Sequence, residues 1–328
     1  MSTIDIIPLV KPPDLVALQL LLRRLSTQNP HHYELTNKLR RELAGHYGES
    51  TLGYYLKLGN HDDVPTLYGL RLRGRHNYFQ IDTLMLFQNF ILLIEVKHIK
   101  GLITLGNQKG KMVRFHKERT ETFDHPLLQA KIQSNHLKEW LLPQNLHQLP
   151  IHCLSVFTNP HSILQLENPN EDILVNIQIP SRIEELKELY PKSHMDQSIL
   201  IKAAKELKSA HTPRHIPFIE KLGIPQEHLV KGVYCRQCLD GITRREKGTW
   251  ICGKCGHHDK SAHLTALQEY RILYGERLTM GEAKKFLNIN SRSTLYHLFK
   301  KIDFTFQGTK RGRVYIIPEQ KQFVPQKL

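Results

Sequence analysis

Apolar residues recur at helical spacing over residues 13–25 and again over 33–47, and Asn29-Pro30 between them predicts the break of a helical pair. Gly48 predicts a loosening of the second helix just before Glu49. From Thr66 the period changes to that of strands. Residues 68–73, 78–87 and 90–97 are rich in Leu, Ile, Tyr and Phe, and a short hairpin is expected over 102–115. His125-Pro126 opens a helix over 127–141 with apolar positions at Leu128, Ile132 and Leu137. An apolar strand over 151–157, the Asn159-Pro160 turn and helical segments near 181–189 and 197–209 follow. Helices before and after a nearly continuous sheet predict an α/β or α+β core.

Residues 211–225 hold three prolines and read as a linker. Beyond it the pattern is different: short strands around paired cysteines, then helices over 263–274, 279–287 and 291–301. Thr279 and Ser291 each stand where an N-cap belongs. Residues 304–317 alternate around a Gly308 to Arg313 tip, a hairpin with a basic turn. Helices plus hairpin resemble a winged helix; the alternative is a helical packing module with a solvated charged face. The expected division is therefore 1–38 as an N-terminal helical segment, 39–210 as the main α/β domain, 211–230 as linker, 231–260 as ribbon, 261–318 as the helix-turn-helix or winged-helix-like domain, and 319–328 as tail.

Composition adds a partner. Of 328 residues, 46 are Lys or Arg and 31 are Asp or Glu, a formal net charge of +15. From Lys231 onward 19 basic residues face only 8 acidic ones. Positive charge concentrated in one module attracts polyanions, so nucleic acid, and DNA first, is the expected partner. A merely soluble basic surface is the alternative. The longest apolar run is far short of the ~20 residues that span a bilayer, and no signal pattern opens the chain, so no membrane partner and a cytoplasmic location are expected.

Two clusters carry candidate chemistry. Cys235, Cys238, Cys252 and Cys255 form two Cys-x2-Cys pairs thirteen residues apart, with Gly253 and Gly256 beside the second. Such spacing predicts one structural Zn²⁺ in a closed four-sulfur ribbon, while Cys153 reads as a small buried apolar residue. No spacing among the 20 histidines demands a second transition-metal site; many, His61 among them, fall near expected loops, and most are expected at the surface.

The second cluster follows from strand arithmetic. If Gln88-Asn89 is a two-residue turn, Phe87 pairs with Phe90 and Asp82 falls opposite Glu95, with Lys97 on the Glu95 face. Like charges across a ladder repel unless a cation lies between them. Two carboxylates holding Mg²⁺ or Mn²⁺, with an ammonium beside them, suit phosphodiester hydrolysis; a plain surface ion pair is the alternative. In the C-terminal module, Arg292, Ser293, Thr294 and Tyr296 would face a groove, and Lys310, Arg311 and Arg313 would touch phosphates.

Asp82, the apolar hairpin and Glu95-Val96-Lys97 resemble the motif of the PD-(D/E)xK nuclease superfamily. With Gly48-Glu49 before the sheet and Gln129 in the Pro126-Leu-Leu-Gln-Ala130 helix after it, the order resembles the nuclease-related domain, NERD. The resemblance implies a restriction-endonuclease-like mixed sheet flanked by helices. It also implies a metal-dependent deoxyribonuclease with Asp82 and Glu95 as ligands, Lys97 catalytic, Glu49 an acidic helper and Gln129 orienting. Gln133 stands where exonuclease-type relatives carry a tyrosine. The alternative function is a non-catalytic nucleic-acid-binding protein or regulator with an inactive nuclease fold.

Overall fold

The computed structural model of the chain describes residues 4–59, 61–106, 110–144, 148–167, 172–191, 195–309 and 312–319. The chain divides into two compact units, Met1–Pro12 with Arg41–Arg214, and Pro13–Arg40 with His215–Leu328. Elements begin with β1 (Asp5–Ile7), α1 (Pro13–Arg24) and α2 (His32–Leu56), then β2 (Thr66–Arg73), β3 (Tyr78–Leu86) and β4 (Ile91–Lys97). After them come β5 (Gly101–Leu105), β6 (Lys111–His116), β7 (Arg119–Asp124), α3 (Pro126–Leu141), β8 (Ile151–Phe157), β9 (Ser162–Leu166) and β10 (Ile173–Val175). α4 (Ile179–Leu189) and α5 (Gln197–Ala210) close the first unit.

Its centre is a six-stranded mixed sheet of order β1-β2-β3-β4-β8-β10, in which β2-β3-β4 are antiparallel and the outer pairings parallel. Alternation along β4 sends Ile91 and Leu93 to one face, with α3 and α5, and Leu92 and Ile94 to the other, with α2 and α4. Both faces are covered, which is why these strands read as unbroken apolar runs. A second sheet, β7-β6-β5-β9, turns Ile103, Leu105 and Met112 into the first core.

Several expectations change here. α2 does not loosen at Gly48 but runs on to Leu56, because Gly48 is the point of closest approach: an added Cβ would sit 2.5 Å from His98 Cβ and 2.8 Å from Thr158 Oγ1. On α3, Leu137 is buried but Leu128 and Ile132 are exposed, the inner face being Leu127, Ala130, Ser134, Leu137 and Leu141. β9 and β10 had no reading in the sequence. His61 is 3% exposed and meets Phe87 edge-on. Cys153 is buried as expected.

The second unit starts from α1, whose Leu18 and Leu21, with Leu25 just past its end, pack with Phe218, Ile224 and Leu229. The proline-rich segment is thus tied down rather than free. Its beginning accepts and donates hydrogen bonds with Arg71 of β2 through His211 and Thr212, and α6 (Phe218–Lys221) belongs to the α1 core. The ribbon is a four-stranded sheet of β11 (Val233–Tyr234), β12 (Ile242–Glu246), β13 (Thr249–Cys252) and β14 (His258–Asp259). Next come α7 (Ala262–Tyr274), β15 (Arg277–Thr279), α8 (Met280–Phe286), α9 (Arg292–Phe299), β16 (Thr305–Gln307) and β17 (Val314–Ile316), with sheet order β15-β17-β16. Thr279 and Ser291 accept the amides of Glu282 and Thr294 and so cap α8 and α9. Asn288, at φ +53°, ends α8 in the left-handed region and redirects the chain into α9. Among the described residues no helix is long and apolar enough to cross a membrane.

Candidate active site and metal centre

The β3–β4 hairpin closes with the Phe87 amide donating to the Phe90 carbonyl, and its register runs from Leu86–Ile91 to Thr83–Ile94. Continued, it sets Asp82 opposite Glu95, but the ladder stops one pair short. A regular ladder would give the Val96 amide to the Ile81 carbonyl; instead Asp82 Oδ2 accepts it at 2.9 Å. The strands splay here, next to Gly69 on β2 at φ +59°. The alternation of β3 breaks with them, so that Ile81 and Leu84 both enter the same core. The carboxylate of Asp82 therefore lies in the gap at the open end of the ladder.

Glu95, 3% exposed, projects toward the α3 face. Lys97, two residues on and on the same face, donates from Nζ to Glu95 Oε1 at 2.6 Å and to Gln129 Oε1 at 3.2 Å. Gln129 is held by α3, which begins at Pro126, where the missing N–H of proline leaves no helical bond unmade. The structure thus brings Asp82, Glu95, Lys97 and Gln129 together from three elements. Glu49 comes from α2, half-buried, with its charge felt against both Asp82 and Glu95.

The electrostatics match a cation site. Burial first, then Asp82, Glu95 and Glu42, push the Glu49 carboxyl up to about 8. Burial and then Asp82 push Glu95 up to about 7, against the pull of Lys97. Asp82 is also raised, by burial, with the Val96 amide and Lys97 opposing. Three carboxyls held near one ammonium resist ionisation in the absence of a counter-cation. Two further neighbours are Ser155, the β8 partner of Glu95, which the sequence did not mark, and Gln133, the next turn of α3, which it marked only as standing in place of a tyrosine. Their Oγ and Oε1 atoms are buried without a hydrogen-bond partner. Ser155 could not be found from local pattern because its pairing with Glu95 joins strands sixty residues apart.

In the second unit the four ribbon cysteines place their sulfurs within 4.8 Å of one another, with Cys235–Cys255 at 3.7 Å and Cys238–Cys252 at 3.6 Å. Four sulfurs at ~2.3 Å from a common centre would be about 3.8 Å apart if tetrahedral. The Gln237 and Lys254 amides donate to Cys235 and Cys252 Sγ at 3.3 Å, stabilising thiolate charge. The donor set thus fits one tetrahedral metal ion with no open position. Gly241, which sequence reading passed over, makes the cradle possible, since a Cβ there would lie 2.4 Å from Cys252 Sγ. By contrast Gly253 meets nothing closer than 3.8 Å.

Of the expected nucleic-acid contacts, Arg292, Ser293 and Tyr296 on α9 are exposed, and Thr294 is half-buried against a groove shared with the ribbon. Arg313 stacks on Phe306 at 4.4 Å beside the β16–β17 turn. Lys310 and Arg311 lie outside the described residues.

No curated protein and no solved structure matches the chain. One family model does match it: that of the nuclease-related domain, over residues 44–158. That span starts in α2 ahead of Glu49, contains Asp82, Glu95, Lys97 and Gln129, and ends at Thr158, just past β8. Residues 44–158 of this chain are a nuclease-related domain, NERD.

Proposed function

We propose that the chain is a divalent-metal-dependent phosphodiesterase acting on DNA, with catalysis in the nuclease-related domain and DNA held by the second unit. One observation carries the reading: Asp82 and Glu95 meet at the broken end of a buried ladder while Lys97 spans Glu95 and Gln129. Asp82 and Glu95 would hold Mg²⁺ or Mn²⁺. Among the described residues only the four cysteines gather three or more donor atoms within 4.8 Å, so the carboxylates would leave room for water and phosphate oxygens around the ion. Such an ion supplies a bound water of lowered pKa and offsets charge on the phosphate. Lys97 would orient that water and balance negative charge as it develops. Gln129 would keep the ammonium in place. Glu49, protonated near neutrality in the isolated protein, would serve as a further acidic group facing the ion. In the ribbon, Cys235, Cys238, Cys252 and Cys255 would hold Zn²⁺ as a structural ion.

A binding-only reading rests on the direct 2.6 Å contact between Lys97 and Glu95, which a structural ion pair also makes. Cleavage of supercoiled, linear and single-stranded DNA and of RNA, with Mg²⁺, Mn²⁺ or EDTA, separates the two. The proposal expects DNA breakage that needs the metal. DNA binding without breakage on any substrate would favour the second reading.

A further inference from the structure

We infer that the groove between the ribbon hairpin β12–β13 and the start of α9 is a binding site for the phosphodiester backbone of a nucleic-acid strand. The inference rests on the DNA-directed reading above and specifies where in the second unit the strand is held. The groove encloses about 520 Å³, more than one phosphate group fills. One wall is the ribbon, with Arg244, Arg245 and Lys247; the other is the α8–α9 turn and the α9 face that carries Ser291, Thr294 and His297. Those three recur at helical spacing, so they share one face of the helix.

Charge and chemistry select the ligand. Three cationic residues line the groove and no acidic residue does. Arg244 is braced by Glu246 at 2.5 Å, which leaves the rest of its fork for a second acceptor. Arg245 stacks over Trp250 at 5.3 Å, and its buried Nη1 has no hydrogen-bond partner. A buried guanidinium nitrogen without an acceptor is unfavourable, and an anion bound at the groove would offset the charge of this guanidinium. Lys247 and Gly248, at φ +44° and +86°, form the tight turn that sets the ammonium at the rim. Facing these cations, Asn288, Asn290, Ser291 and Thr294 offer amides and hydroxyls, the groups that meet sugars and base edges. Apolar pockets for peptide side chains are missing from the lining, since Trp250 is only 2% exposed and Ile289 only 7%. The ribbon thereby becomes part of the binding surface rather than a spacer.

The test is anisotropy of a fluorescein-labelled DNA duplex, and of its single strand, titrated with the full zinc-loaded chain in EDTA-free buffer without Mg²⁺ or Mn²⁺, across a salt series. Lys247→Glu and Arg244→Gln are compared with Lys260→Glu, an exposed ribbon lysine outside the groove. Arg245→Gln is added with its thermal melting, because its stacking on Trp250 gives it a packing role too. His297→Glu, on the opposite wall, places a carboxylate in the groove without touching the ribbon. The inference expects Lys247→Glu and His297→Glu each to weaken binding about tenfold or more. Arg244→Gln should lower the salt slope by about 1, as loss of one phosphate contact does. Lys260→Glu should change affinity less than about threefold, that being only its share of the general field. Groove variants that bind like Lys260→Glu, while the wild type binds DNA, would overturn the groove assignment and leave the nuclease reading standing. A wild type that binds no nucleic acid would overturn both. Polyglutamate competing as well as DNA at equal charge would also overturn it, since the groove would then select charge and not a nucleic-acid backbone.

Discussion

Replacing Asp82 with Asn retains an oxygen that can accept the Val96 amide and removes one of three crowded carboxyls, so fold and charge can be separated at this residue. Asp82→Asn is expected to melt no lower than the wild type in chelator, to gain no stability from Mn²⁺, and to lose cleavage; paired melting and cleavage assays check all three. The pH dependence follows from the same carboxyls. Glu95 and Glu49 titrate near 7 and 8 in the folded chain against 4.5 as free groups, so between 4.5 and about 8 the folded state binds more protons than the unfolded. Stability from this pair is therefore greatest at low pH and declines as pH rises. Melting in chelator across that range should show the decline, and Mn²⁺ should raise the melting temperature more at pH 8 than at pH 5. A metal-free Tm that rises steadily over this window in the wild type, but not in a Glu49→Gln, Glu95→Gln variant, would reverse the sign and refute the assignment.

At the scale of elements, α2 depends on Gly48. Gly48→Ala sets a methyl 2.5 Å from His98 Cβ, and neither this backbone-proximal carbon nor Thr158 can swing away as a long side chain could. Overpacking of this kind costs about 1–3 kcal/mol; denaturant unfolding should register it, and cleavage should fall with the displacement of Glu49. Sequence pattern carried the β3–β4 hairpin and its register because a two-residue turn and strict alternation are local properties. It placed Glu95 and Lys97 on one face for the same reason. It misjudged α2, where a glycine that looks like a helix breaker serves a long-range approach to β4 and β8. It also gave no hint of the β5–β9 pairing, which joins strands about sixty residues apart. The ribbon is the opposite case: its cysteine spacing was fully legible, yet Gly241, at which a Cβ would crowd two sulfurs, could be recognised only from the folded cradle. Its strands are two to five residues long and give the hydrophobic core of the second unit only Val233 and Trp250, so the metal is expected to supply much of their stability. A strong chelator should shift the emission of Trp250, read in a Trp140→Phe background, and added Zn²⁺ should restore it. Unchanged emission after verified metal removal would contradict a structural role.

On the scale of the whole molecule, the chain is cut differently from the order of its parts. Residues 13–40 and 215–328 make one unit although the nuclease-related domain lies between them in sequence. Composition could locate the basic half but not this pairing, because the apolar face of α1 reads the same whichever core it enters. Deleting everything after Val230 would strip α1, α6 and the segment to Leu229 of α7, to which Arg23 and Arg24 are joined through Glu269. Loss of DNA binding after such a cut would therefore report unfolding as much as a lost contact, and point changes in the full chain are the sounder probe.

The proposed role of Asp82, Glu95 and Lys97 is metal-dependent phosphodiester cleavage. Its most direct test is the cleavage rate of plasmid DNA by Glu95→Gln and Lys97→Ala beside the wild type, in Mg²⁺ or Mn²⁺, with melting and DNA affinity measured on the same preparations. Metal-dependent cleavage by the wild type, and a loss on the order of 10²–10³ or more in each variant at unchanged DNA affinity, are expected. Cleavage that persists in both variants, or that is absent from a folded, DNA-binding wild type, would contradict that role.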